Sequence, residues 1–151
     1  MLIVDTREKW TQSGNCDRHI SGYLDRHGIE YVVRKLDVGD YMLDGGSITV
    51  DRKQNLEEIS RNLTNGTDKQ RFWAEVRRAK SCGLSLVVLV ETNKIKTLQD
   101  LRGWVSKFTP VTGQALIRQM ERLRHAYGVR FAFAPRVSSA RVILEILEGK
   151  A

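Results

Sequence analysis

Proline is nearly missing from this chain, with 2 in 151 residues, and no low-complexity run or internal repeat appears, so no segment reads as a linker or a tail. Cysteine is as scarce. Cys16 and Cys82 lie far apart and outside any C-x-x-C pattern, so they read as two reduced thiols of a cytosolic protein and not as a disulfide framework. There are 3 histidines, none at ligand spacing, which argues against structural zinc. Long apolar runs are missing too. Leu84 to Val90, interrupted by Ser85, falls far short of the roughly 20 residues that cross a bilayer. Met1 opens directly onto LIVDTRE, without the basic region and cleavage site of a secretory signal. Neither G-x-G-x-x-G nor G-x-x-x-x-G-K-[ST] occurs, so a nucleotide cofactor has no support.

What is present is basic and unevenly so. The length suits one domain, with 41% apolar and 28% charged residues, and the net charge is +7. Residues 1–50 carry 6 Lys/Arg against 8 Asp/Glu, residues 51–100 carry 10 against 7, and residues 101–151 carry 9 against 3. An acidic first third joined to a basic remainder points to a carboxylate cluster beside a surface for a polyanion.

Periodicity reads as an α/β domain with a mixed sheet flanked by helices. MLIVD, IEYVVRKL, LSLVVLVET and VRFAFAP are strands, and LSLVVLVET is the central one. DYMLDGGSITVDRK is a hairpin turning at Asp44-Gly45-Gly46. Helices are expected over DRHISGYLDRHG with Asp17 as N-cap, over NLEEISRNL, over DKQRFWAEVRRAKSCG capped by Asp68, over TLQDLRGWVSKF, over ALIRQMERLRHAYG and over SSARVILEILEG.

The hairpin carries the chemistry. Asp40 heads its first strand, and Asp51 ends the second with Lys53 two residues on. Folding back at the Gly-Gly turn brings both acids to one open end. Residues two apart share a strand face, so Lys53 accompanies Asp51 while Arg52 points away. Two carboxylates at one spot repel unless a cation bridges them, and Mg²⁺ or Mn²⁺ takes hard oxygen ligands of this kind. Such an ion with a lysine beside it suits phosphodiester hydrolysis.

VDTRE at Val4–Glu8, VGDY at Val38–Tyr41 and VDRKQNLEE at Val50–Glu58 resemble, in order and separation, the motifs of the XPF/Mus-type structure-specific endonucleases, V-D-x-R-E, G-D-Y/F and E-R-K-x-x-x-D. LVVLVE at Leu86–Glu91 and the closing VRFAFAPRVSSARVILEIL are similar to that family's core strand and its last strand and helix. The resemblance implies a restriction-endonuclease-like fold of the PD-(D/E)xK superfamily. It also implies an Mg²⁺- or Mn²⁺-dependent endonuclease for branched, flapped or forked DNA, with a role in DNA repair or recombination. Asp40, Asp51 and Asp5 would hold metal, Lys53 would be the catalytic lysine, and Arg52 would brace the site or contact phosphate. Arg7, Glu8 and Glu57 would support, and Gln70 would approach from the helix that follows. Asp51 and Glu57 stand where the family usually has Glu and Asp. The chain resembles a stand-alone nuclease domain over 1–151, without helix-hairpin-helix or helicase regions, of the sort a prokaryote or phage encodes and keeps in the cytoplasm near its DNA. Two other readings stay open: a non-catalytic DNA-binding subunit partnering an active nuclease, and a restriction-like or RNA-directed hydrolase.

Arg77, Arg78 and Lys80 form a candidate phosphate track, and Arg71, which with Lys69 and Gln70 opens the same helix next to the site, is a further DNA-contact candidate. Arg118 and Arg122 share a face of a later helix at four-residue spacing and are further DNA-contact candidates. Trp73 and Trp104 read as packing residues, and His19, His27 and His125 as surface residues. By analogy with the family a homodimer is expected, with Trp104–Gly113 and its apolar residues as the pairing segment.

Overall fold

The computed structural model describes residues 1–12 and 18–150. Cys16 and the expected cap Asp17 lie outside them. Six strands form one mixed sheet: β1 (Leu2–Val4), β2 (Tyr31–Val33), β3 (Tyr41–Leu43), β4 (Ile48–Lys53), β5 (Ser85–Glu91) and β6 (Arg130–Ala134), in the order β2-β1-β3-β4-β5-β6. The β3–β4 hairpin is antiparallel, as is β1 with β3, while β1–β2, β4–β5 and β5–β6 are parallel. Two helices, α1 (Arg18–Arg26) and α5 (Ser139–Leu147), cover one sheet face. The other face carries α2 (Leu56–Thr64), α3 (Gly66–Ser81) and α4 (Gly113–Tyr127).

Strand β5 shows how side-chain alternation builds two cores. Leu86, Val88 and Val90 enter the cluster with Ile59, Phe72, Val76, Leu116 and Met120, while Val87 and Leu89 enter the one with Ile20, Leu24 and Ile143. A strand buried on both faces needs no polar alternation, and its sequence has none.

Two boundaries differ from expectation. Helix α3 starts at Gly66, so Asp68 lies in its first turn and Asn65 occupies the cap position. No long helix forms over TLQDLRGWVSKF: a 3₁₀ turn spans Leu98–Gly103, capped reciprocally by Thr97 and Asp100. The chain then runs extended into a bridge between Val105 and Thr112. Gly103 and the β-branched Val105 disfavour continuation. Helix α4 also begins hard against this turn, since a Cβ on Gly113 would stand 1.6 Å from the Leu101 carbonyl oxygen.

Candidate active site

The site is built at the open end of the β3–β4 hairpin. Tyr41 pairs with Val50, so the residues one step outward, Asp40 and Asp51, face each other across the ladder. Asp40 is fixed from several sides. Its amide donates to the Val50 carbonyl at 2.7 Å, its carbonyl accepts from the Asp5 amide at 2.8 Å, and its Oδ2 accepts from the Arg52 amide at 2.8 Å. The preceding Gly39 has φ +73°, and a Cβ there would lie 2.2 Å from Thr49 Oγ1, so only glycine lets the chain enter β3 this closely against β4.

Strand alternation then sorts the DRK triplet. Asp51 and Lys53 project towards α2 and α3, with Lys53 Nζ 3.1 Å from Asp51 Oδ2 and 5.6 Å from the centre of the Phe72 ring. Burial disfavours the Lys53 charge, but Asp51, Glu58 and Asp40 outweigh it and hold the ammonium above its ordinary range. Asp40 is pushed well above the usual carboxylate range, first by burial and then by Asp51 and Glu8. Asp51 Oδ2 is buried beside the Lys53 ammonium. Two carboxylates crowded together in this way, Asp40 and Asp51, are an oxygen donor pair that fits a hard divalent cation.

Among the described residues, no three His, Cys, Asp or Glu side chains converge into a metal cage. The three-acid cluster expected of Asp40, Asp51 and Asp5 is therefore not assembled; the pair is. Asp5 is fully buried, and both its oxygens are taken: Oδ2 by Arg7 Nε at 2.6 Å and the Arg7 amide at 3.0 Å, Oδ1 by the Leu36 amide at 2.7 Å. Burial alone would raise its carboxyl, but Arg7 and the Leu36 amide outweigh it and keep the group below its ordinary value. Asp5 is a buttress, and Arg7, paired to it, rims the polar groove of about 190 Å³ that Asp40, Asp51, Lys53, Gln54 and Glu58 also line.

Arg52 braces and does not reach for phosphate. Its side chain turns to the α1–α5 face and is buried, with Nε 2.9 Å from Glu8 Oε2 and Nη1 2.7 Å from Glu91 Oε1. Glu8 also accepts a short hydrogen bond from the Tyr41 hydroxyl, which itself accepts from Trp10 Nε1 at 2.7 Å. Glu91 accepts from Ser139 Oγ at 2.6 Å and meets His19 Nε2 at 2.8 Å, so His19 belongs to this network and not to the solvent surface.

Two further expectations are corrected. Glu57 points away from the groove: its carboxylate takes Ser106 Oγ at 2.7 Å and the Lys107 amide at 2.9 Å. Its neighbour Glu58 faces the groove and accepts from the Gln54 amide at 2.7 Å, because adjacent helical residues diverge by about 100°. Gln70 is exposed, and the α3 residue that reaches the site is Glu75, about 140° further round the helix. Glu75 Oε1 accepts from the Gly39 amide at 3.2 Å, and its carboxyl is raised to about 7, by burial first and then by Asp51. Arg71 and Arg78 share its stripe, and Arg78 Nε reaches the Asp37 carbonyl at 3.3 Å. Arg77, Arg118 and Arg122 are exposed. Trp73 and Trp104 pack against the core, Trp73 edge-on to Tyr127.

Against known proteins, residues 4–134 match the family model described as the ERCC4 domain. The chain belongs to the ERCC4 domain family. No curated protein matches the sequence. Two solved structures share the fold of this ERCC4 domain, the XPF protein from Aeropyrum pernix and the same protein in complex with DNA. The first aligns with TM-score 0.68 at 20% identity, covering 99% of this chain and 61% of that one. The second aligns with TM-score 0.70 at 22% identity, covering 97% and 62%. The chain thus spans about three fifths of the length of those proteins. Its mixed six-stranded sheet between helices is the restriction-endonuclease-like fold of XPF-type nuclease domains.

Proposed function

We propose that this ERCC4 domain is a divalent-metal-dependent endonuclease that hydrolyses phosphodiester bonds in branched, flapped or forked DNA. One observation carries the reading: Asp40 and Asp51 face each other across the hairpin, with the Lys53 ammonium 3.1 Å from the buried Asp51 Oδ2. Family membership supports nuclease chemistry, and the DNA complex of the Aeropyrum pernix protein supports DNA as the polyanion.

In this proposal Asp40 and Asp51 hold Mg²⁺ or Mn²⁺. A bound ion of this kind acidifies water and offsets charge building on a phosphate. The remaining work belongs to the chain. Lys53 presents an ammonium that can donate to a phosphate oxygen. Glu75 fixes the Gly39 amide and thereby the approach to Asp40. Arg52, locked between Glu8 and Glu91, holds the floor of the site still. Arg71 and Arg78, on the stripe of Glu75, line the path of the DNA backbone.

The test is cleavage of duplex, flap, fork and four-way DNA, with RNA controls, with Mn²⁺ and with EDTA. Wild type is expected to cut a branched DNA only with metal, and Asp40→Asn to lose at least about 100-fold in rate. Undiminished cutting by the Asn variant would remove Asp40 from the chemistry. Tight DNA binding by wild type with no cutting in any metal would make the chain a non-catalytic binding subunit.

A further inference from the structure

The segment between β5 and α4 carries features that the catalytic groove does not use. Phe108 is 79% exposed and Val105 64% exposed, both large apolar side chains held out to solvent. They do not sit on a slack loop. Ser106 Oγ accepts from the Phe108 amide at 3.1 Å and the Thr109 amide at 3.2 Å. The Ser106 amide reaches the Val111 carbonyl at 3.0 Å, and Glu57 holds Ser106 and Lys107 from α2. The fold spends its hydrogen bonds on presenting a phenyl ring to water.

Around that ring the charge is positive. Residues 92–112 hold four exposed cations, Lys94, Lys96, Arg102 and Lys107, against the single acid Asp100. Asp100 accepts from the Thr97 amide and Glu57 from the Lys107 amide, and Glu91 is paired with the Arg52 guanidinium. Phe108, Lys107 and Lys94 border a groove of about 790 Å³ that Glu57, Glu91 and Asp100 also line and whose wall continues to Asn55. The preceding residue, Gln54, lines the catalytic groove. The first turn of α2 is thus the shared wall between the two grooves.

From this juxtaposition we propose that Phe108 is a stacking platform for an unpaired base, with Lys94 and Lys107 contacting the adjoining phosphates, beside the groove where the scissile phosphate binds. The inference rests on the nuclease reading and deepens it: it names single-stranded DNA next to the cleavage point as the part of the substrate recognised. An aromatic face accepts any base, and exposed lysines beside it can contact the backbone. A second copy of this chain fits less well. One phenyl ring buries about 150–250 Å², where a stable interface needs about 800 Å² per partner. A two-fold contact would also set these cations against themselves.

The experiment uses the wild-type chain and a forked oligonucleotide with 2-aminopurine in its single-stranded arm, in EDTA so that nothing is cut. Wild type should quench the fluorophore at one arm position. Phe108→Ala should abolish quenching and weaken fork binding roughly 5- to 100-fold while leaving duplex affinity unchanged. Phe108→Trp should restore both, which a merely structural role would not allow. Asp40→Asn should keep the quenching while losing cleavage, so the two readings fail separately. Equal quenching and affinity in Phe108→Ala would overturn the proposal. So would sedimentation showing that Phe108→Ala splits a dimer without changing fork affinity, which would make the face a contact between copies.

Discussion

At the scale of single residues, the acids of the site are held against their own interest in ionising. Burial and the neighbouring Asp51 raise the carboxyls of Asp40 and Glu75. The sign of the consequence follows from linkage. The unfolded chain releases the Glu75 proton near the ordinary glutamate value of 4.5, the folded chain only near 7. Stability from this group is therefore full below about pH 4.5 and is lost as pH climbs through 7. Glu75→Gln keeps the oxygen that accepts from Gly39 and removes the charge. In EDTA, urea unfolding should find it stabilised by about 1–3 kcal/mol over wild type at pH 8 and by much less at pH 4.5. An equal effect at both pH values would show that Glu75 is not crowded by Asp51. Asp40→Asn relieves the same crowding, so its stability should match or exceed wild type by about 1 kcal/mol while cleavage is lost. A drop of several kcal/mol would recast Asp40 as a structural residue.

At the scale of elements, Arg52 ties the segment after β1, through Glu8, to the end of β5 and the start of α5, through Glu91 and Ser139. Arg52→Ala would leave two buried carboxylates without the guanidinium that neutralises both, and chemical denaturation should show a loss of about 3–5 kcal/mol. Arg52→Lys should recover little, because one ammonium cannot replace the fork that spans both acids. A loss under 1 kcal/mol for the Ala variant would show that the network carries no stability. The sequence alone made the hairpin, its pair of acids and the outward turn of Arg52 legible, because each follows from a local rule: a Gly-Gly turn and side chains alternating by two. Glu75 was not legible, since only the packing of α3 against the sheet at β5 brings it to Gly39, 36 residues away in the chain. The choice between Glu57 and Glu58 was likewise hidden. Both suit the first turn of α2, and the tertiary contact with Ser106 decides which one turns from the groove. The helix expected after Thr97 shortens to a 3₁₀ turn ending at Gly103, and the close approach of Gly113 to Leu101 beyond it is a tertiary contact that periodicity does not show.

At the scale of the whole molecule, the charge is asymmetric in a way that serves a polyanion. Of the acids in the first third, Asp5 and Glu8 are taken up by Arg7 and Arg52 and Asp40 is crowded at the site, while Asp25, Glu30, Asp37 and Asp44 stay exposed, as do many of the arginines beyond residue 70. Arg71 and Arg78 lie seven residues apart on the α3 stripe that also carries Glu75, whose carboxylate reaches the Gly39 amide next to Asp40. Arg118 and Arg122 form a separate exposed pair on α4. If these pairs meet phosphates, each contact removed should flatten the dependence of log Kd on log salt by roughly 0.9. The double variant Arg71→Ala/Arg78→Ala should therefore lower the slope by about 1.8 and also slow cleavage at saturating protein, because it frees the backbone next to the scissile bond. Arg118→Ala/Arg122→Ala should change the slope by a similar amount and leave that saturated rate untouched. Fluorescence anisotropy across a salt series, paired with single-turnover cleavage, separates the two. Unchanged slopes in both variants would mean that the basic surface is solubilising only, and that DNA is held elsewhere on the molecule.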